Sequence, residues 1–145
     1  MTQRTEARFK VFSKTDNTVF GTFIYDYIDF NVGGTYDTST YEYTVDNAGT
    51  YLMGHSFVKK KPWNNNTYLG GSNVKLTRGG TTYTICRTKL NETVSNTTIS
   101  NLFMYKFEVD DKLYIVSDGG QPKMNRYNNY SNHILNSWWG IKLNY

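Results

Sequence analysis

The sequence predicts an all-β domain, a sandwich or barrel of eight or more short antiparallel strands. Apolar and polar residues alternate with a period of two, and no long segment has the 3.6-residue period of a helix. Aromatic residues make up 17% of the chain, and rings suit the half-buried face of a sheet. Short turns rich in glycine and asparagine separate the alternating segments, as is typical of sandwiches and barrels.

The N-terminal part contains three predicted extended segments. Residues 9–12 form a first short strand, and residues 20–30 form a second, aromatic-rich extended region. A turn at residues 33–34 follows, because two consecutive glycines punctuate the pattern. Residues 41–45 then alternate as a half-buried strand that ends in the turn at residues 46–49.

Residues 50–58 form the strand with the greatest predicted burial. Tyr51, Met53, His55 and Phe57 line one face, and the other face is also partly apolar. A strand with this pattern is expected to be covered on both sides. The lysines and proline that follow end this strand, and a polar loop is predicted for residues 63–72.

The C-terminal half begins with a clear hairpin, in which a Gly-Gly turn at residues 79–80 joins two alternating strands. A polar loop is predicted for residues 91–101. Further strands are predicted for residues 102–109 and 113–116, followed by a long loop at residues 117–132 and a closing segment at residues 134–145.

The chain length of 145 residues fits one domain, residues 1–145, with residues 1–7 as a flexible lead-in from a stalk or tag. Cys86 is the only cysteine, so a disulfide framework is excluded. No apolar stretch approaches the ~20 residues of a membrane span, and no signal peptide follows Met1. The formal charge of +4 is a modest excess that weakly favours an anionic partner.

Three pieces of the central region carry a family pattern: Phe30-Asn31, then Tyr36-Asp37 with Thr40 and Tyr43, then Gly49-x-Tyr51. In this order and spacing they resemble the signature of C1q-like globular domains. The glycine hairpin, the turn between residues 107 and 113 and the closing Trp138-x-Gly140-Ile141-x-Leu143 extend the resemblance over roughly residues 8–144. Trp139 departs from it, since a small residue is usual there. The resemblance implies a ten-stranded jelly roll related to the tumour-necrosis-factor fold, assembled as a homotrimer.

Trimerisation also has a physical argument, because a domain of this size cannot hide so many rings internally and exposed apolar patches usually mark interfaces. The residues expected in the core or the trimer interface are Tyr51, Met53, His55, Phe57, Phe103, Tyr105, Phe107, Trp138, Ile141 and Leu143. A histidine in this set would make assembly sensitive to pH.

Catalytic chemistry has no candidate constellation. His55 and His133 lack the spacing of a zinc site, and no nucleophile elbow or phosphate loop occurs, so the sequence predicts a protein that is not an enzyme and has no cofactor. Calcium is the one ion considered, with Asp110, Asp111 and Asp118 as ligands, since calcium takes carboxylate oxygens. A polar turn is the alternative reading of these aspartates.

Two loop regions are the predicted contacts for a ligand. Lys59, Lys60 and Lys61 offer positive charge to anionic glycans, lipids or nucleic acid, with Trp63 nearby as a stacking platform; a solvated strand end is the alternative. Tyr127 and Tyr130 lie in an asparagine-rich segment suited to adaptable recognition, or pack against the end of the sandwich.

These observations favour a recognition or attachment module, extracellular or on a virion or particle surface, that binds a protein or glycan. The alternative is a structural trimer that caps a fibre, virion or matrix protein. A nucleic-acid-binding β-protein is disfavoured and an enzyme is the least supported class.

Overall fold

The computed structural model describes residues 6–13, 17–18, 21–59, 69–91, 97–118, 123–124 and 136–144. Its strands are β1 (Arg8–Phe12), β2 (Asn17–Thr18), β3 (Tyr27–Val32), β4 (Gly34–Asp37), β5 (Glu42–Val45), β6 (Gly49–Lys59), β7 (Leu69–Arg78), β8 (Thr81–Asn91), β9 (Thr97–Phe107), β10 (Lys112–Ser117), β11 (Lys123–Met124) and β12 (Ser137–Lys142). No helix occurs among the described residues. The predicted all-β class is confirmed.

Two five-stranded antiparallel sheets form the domain. The first sheet has the order β3-β1-β12-β6-β9, and the second has the order β4-β5-β10-β7-β8. A separate two-stranded pairing joins β11 to β2. Chain neighbours such as β6 and β7 lie in different sheets, and this repeated crossing between sheets makes the domain a jelly roll. The ten-stranded antiparallel jelly roll expected from the family resemblance is therefore confirmed.

The core lies between the sheets and is mostly aromatic. The ring of Phe9 stacks on Tyr43 at 4.0 Å between centroids and meets Trp138 edge-on at 5.1 Å. Trp138 also contacts Tyr25 and Tyr36. All five residues are buried. Such edge-on and offset contacts add to the burial of the rings themselves, and they hold β1 and β12 of the first sheet against β4 and β5 of the second.

Two predicted loops are partly strands in the structure. β7 begins at Leu69 and β9 begins at Thr97, so the predicted loops at residues 63–72 and 91–101 are wrong for their C-terminal parts. These segments are polar, but each pairs over its length with a neighbouring strand. Gly71 also permits a close approach, because a Cβ there would overlap the backbone of Thr88. Backbone pairing decides the structure here, and period-two alternation does not.

The region 20–30 is also shorter as a strand than expected, since β3 begins at Tyr27. Phe23 and Tyr25 are nevertheless fully buried, because Phe23 donates its backbone N–H to the carbonyl of Ile115 and the segment runs along the core. The predicted turn at residues 33–34 is confirmed at Gly33, which lies between β3 and β4 and has a φ of 68°.

Candidate functional site: an apolar sheet face and a shared loop end

The outer face of the first sheet is apolar. The strand register places Ile141, Leu52 and Met104 in one row across β12, β6 and β9, and Trp139, Gly54 and Leu102 in the next outward row. Cross-strand neighbours of this kind lie about 5 Å apart. The residues between them in sequence, such as Met53 and Trp138, point into the core. The face therefore follows directly from period-two alternation on three adjacent strands.

The side chains of this face are accessible in the single chain. Leu102 and Met104 are 63% and 64% exposed, and Ile141 is 41% exposed. The ring of Trp139 lies over Gly54, where a Cβ would come within 2.7 Å of the indole. On β3 the same two rows end with Val32 and Phe30, which are also exposed, and β1 places Arg8 and Lys10 between them and β12. We call these seven residues the apolar face: Phe30, Val32, Leu52, Leu102, Met104, Trp139 and Ile141.

A groove of about 510 Å³ crosses the β3, β1 and β12 side of this face, and Phe30, Trp139 and Ile141 are among its lining residues. Two cations, Arg8 and Lys10, also line it. Arg8 lies over the ring of Phe30 at 5.4 Å, which is a cation–π contact.

Both cations have a carboxylate partner beside the groove. Arg8 forms an ion pair with Glu6 at 2.7 Å, and Lys10 forms one with Asp29 at 3.6 Å. These pairs are exposed and each contributes little to stability. The groove is therefore an apolar floor with a charged, solvated rim.

The outer face of the second sheet has the opposite character. Thr44, Lys112 and Thr77 form one outward row, and Tyr114 and Lys75 follow in the next. Lys75 donates a hydrogen bond of 2.6 Å to the hydroxyl of Thr84. A covering protein surface would therefore stabilise the outer face of the first sheet more than that of the second.

Three connecting segments join the strands at one end of the sandwich. Lys59 at the end of β6 is paired with Thr97 at the start of β9, and Ser137 at the start of β12 is paired with Ser56. In the second sheet, the start of β7 is paired with the end of β8. The described residues that flank 60–68 and 92–96, and those that follow residue 135, therefore lie at this end. We call this the loop end of the sandwich.

The predicted ligand-binding residues belong to two of these segments. Lys59 is the last residue of β6. Lys60, Lys61, Trp63, Tyr127 and Tyr130 lie outside the described residues. Their anchor points are adjacent at the loop end, although the segments are more than 60 residues apart in sequence. A ligand role for these residues stays a prediction.

The predicted core or interface residues divide into two groups. Tyr51, Met53, His55, Phe57, Phe107 and Trp138 are buried between the sheets, whereas Phe103, Tyr105 and Leu143 are half-buried and Ile141 is exposed. Of this set, only Ile141 belongs to the apolar face. The other members of the face were missed. Alternation in residues 102–109 signals two faces, but only the register with β6 and β12 shows which one points outward.

The three aspartates considered for calcium lie in different environments. The carboxylate of Asp111 is buried and accepts hydrogen bonds from Arg78 at 2.8 and 2.6 Å and from the backbone N–H of Glu108. Asp118 pairs with Arg87 at 2.6 Å, which lowers the pKa of its carboxyl. Asp110 is exposed in the turn, with a φ of 71°. Among the described residues, no group of three metal-binding side chains converges, and calcium binding stays a prediction.

Solved structures share this fold at low sequence identity. The crystal structure of murine APRIL at pH 5.0 aligns with a TM-score of 0.74 and 10% identity over 95% of this chain and 99% of that one. The structure at pH 8.5 gives a TM-score of 0.71 at 10% identity over the same shares of the two chains. The Eiger TNF structure from S. frugiperda gives 0.71 and 11% identity over 97% of this chain and 92% of that one. No family model and no curated protein matches the sequence.

These similarities show the fold. The chain has a jelly-roll fold similar to that of APRIL and the Eiger TNF, and the resemblance noted in the sequence is confirmed at the level of the fold. In the described part of the chain, no helix is long and apolar enough to cross a membrane.

Proposed function

We propose that this jelly-roll domain is a non-enzymatic homotrimeric recognition module. Its apolar face is the subunit interface, and its loop end contacts a protein or glycan partner outside the cell or on a particle surface. The observation that carries the proposal is the apolar face, with Leu102 and Met104 almost two-thirds exposed on its edge strand β9. Patches of this kind on otherwise polar domains are usually buried against a partner.

The shape of the face favours a ring of copies. Leu102 and Met104 project from β9, an edge strand of the first sheet, whereas the groove lies on the β3, β1 and β12 side of the same sheet. Tyr83, on the neighbouring edge strand β8, is also exposed. A projecting edge that fits the groove of the next copy makes a head-to-tail contact, and such contacts form a ring when the rotation between copies closes. The C1q-like resemblance sets the expected number of copies at three.

A trimer would present three loop ends together. Lys59 to Lys61, Trp63, Tyr127 and Tyr130 supply cations and rings in the segments anchored there. Cations and aromatic rings suit both glycan and protein ligands. Three copies acting at once raise the overall affinity without any new contact, since the second and third binding events become intramolecular.

The assembly is tested by light scattering after gel filtration, with Met104→Lys as the disrupting variant. We expect three times the chain mass for the wild type. Burying two-thirds of a methionine side chain is worth about 1–2 kcal/mol. Because the substitution is present in all three subunits, the association constant of the trimer should fall by about 10²- to 10⁴-fold. Repulsion between the introduced lysines adds to this loss.

The control is Val109→Lys, because Val109 is also exposed at 54% but lies in the turn after β9, outside the apolar face. It should leave the mass unchanged. Circular dichroism confirms that both variants fold. A wild-type monomer at micromolar concentration, or equal effects of the two variants, contradicts the proposed interface.

Recognition is tested by binding the wild type and Met104→Lys to arrays of glycans and cell-surface protein ectodomains. We expect saturable binding by the trimer and at least tenfold weaker binding by the dissociated variant. A trimer that binds no array member overturns the recognition role and favours a structural capping domain.

A further inference from the structure

His55 is an internal histidine that joins the two sheets. It lies on β6, is 2% exposed, and forms a hydrogen bond of 2.7 Å between its Nε2 and the hydroxyl of Ser72 on β7. Its ring is parallel to that of Phe57, with centroids 6.1 Å apart. Across the sheet it is paired with Trp138 and Asn101. The imidazole is thus enclosed by rings and neutral polar groups.

Among the described residues, the Asn101 side chain is the one group that favours a charged imidazole, and it does not offset the effect of burial. Nδ1 forms no hydrogen bond with the described residues. Asn101, which faces His55 from β9, is bonded to Thr88 at 2.9 Å and to the thiol of Cys86 at 3.2 Å, and the Cys86 thiol is neutral because burial raises its pKa.

No carboxylate faces the ring from the described parts of the packed strands. On β8, Arg87 and Lys89 turn outward and pair with Asp118 on the far side of the second sheet. On β7, Lys75 also turns outward. Ser72 is the β7 group that meets the imidazole, and it is an uncharged hydroxyl. Protonation would therefore place an uncompensated charge between the sheets.

We propose that His55 is an acid-sensitive latch that holds the two sheets together at the loop end while its ring is neutral and releases them when it is protonated. His55 lies four residues before the end of β6 and Ser72 three residues after the start of β7, so their contact lies close to the two strand ends that flank residues 60–68. Opening the latch would move the anchors of the loop end. The effect on ligand binding rests on the proposed function, whereas the latch itself does not.

The pH window follows from the direction of the shift. Burial lowers the pKa of His55 from 6.5 to about 4, and Asn101 opposes this without cancelling it. Above pH 6.5 the ring is neutral in both the folded and the unfolded state, and the latch is closed. Between pH 6.5 and 4 the unfolded chain binds a proton that the folded chain excludes, so folding weakens as the pH falls. Below pH 4 both forms are protonated and this loss stops growing.

The test is urea unfolding of the wild type and His55→Gln between pH 7 and pH 4, at one protein concentration. Glutamine does not titrate and keeps a side chain able to bond Ser72. From pH 6.5 to 4 the folding equilibrium constant of the wild type should fall about tenfold per pH unit more steeply than that of His55→Gln, or about 300-fold in total. His133→Gln, which removes the other histidine, should keep the wild-type slope.

Direct titration covers the case in which His55→Gln fails to fold. In nuclear magnetic resonance spectra of the wild type, compared with His133→Gln for assignment, the His55 imidazole should titrate near pH 4. Parallel unfolding curves for the wild type and His55→Gln, or titration of His55 near 6.5, overturn the latch. A monomer at pH 7 that keeps the steep acid slope contradicts the proposed trimer and leaves the latch standing.

Discussion

The ion pair between Arg78 and Asp111 allows a matched comparison of a buried and an exposed bridge in one sheet. Arg78, the last residue of β7, binds both carboxylate oxygens of Asp111, and that carboxylate also accepts the backbone N–H of Glu108. The Asp111 side chain is only 1% exposed. Arg87 on β8 binds Asp118 with the same two-pronged geometry, but Arg87 is 56% exposed and Asp118 13%.

Arg78→Met keeps most of the aliphatic stem and removes the charge, so Asp111 becomes a buried, uncompensated carboxylate. Removing one partner of a buried pair costs about 3–5 kcal/mol. We expect the lower value, about 3 kcal/mol, because Arg78 itself is partly exposed. The melting temperature should fall by about 6–12 °C for a chain of this size. Arg87→Met should lose far less stability than Arg78→Met, since exposed pairs are weak.

The assay is urea denaturation followed by circular dichroism at pH 7, with the double variant Arg78→Met/Asp111→Asn as the second control. Replacing the carboxylate by a neutral amide removes the buried charge, so the double variant should recover part of the stability that Arg78→Met loses. Equal losses for Arg78→Met and Arg87→Met, or no recovery in the double variant, would refute the argument that burial of Asp111 makes this bridge strong.

Three further predictions concern the core. Gly34→Ala should lose about 1–3 kcal/mol in urea denaturation, because a Cβ at this position would overlap the Tyr43 ring and hydroxyl; an unchanged midpoint would show that the ring can move aside. Tyr36→Phe should lose about 1 kcal/mol, since the Tyr36 hydroxyl donates a 2.8 Å hydrogen bond to the carbonyl of Tyr25. Tyr25→Phe should be neutral or stabilising, because the buried Tyr25 hydroxyl has no partner among the described residues; a loss as large as that of Tyr36→Phe would contradict this.

The fold class could be predicted from the sequence because alternation is a local property of each strand. Residues 41–45 and 113–116 alternate clearly, and both are strands of the second sheet, β5 and β10. The polar starts of β7 and β9 could not be predicted in this way. Leu69 to Ser72 and Thr97 to Asn101 are strands because long partner strands pair with them, and pairing between distant segments leaves no periodic signal.

The candidate site could likewise be predicted only in part from the sequence. The sequence alone indicated that residues 102–109 have two chemically distinct faces and that residues 50–58 are apolar on both faces, because successive side chains on a strand point to opposite sides. It did not determine which face is covered. Tyr51 and Met53 are in the core whereas Leu52 and Met104 point outward, because the second sheet packs on one side of the first and leaves the other side open. Only the tertiary structure decides this, since the choice of side depends on contacts between segments that are far apart in the chain.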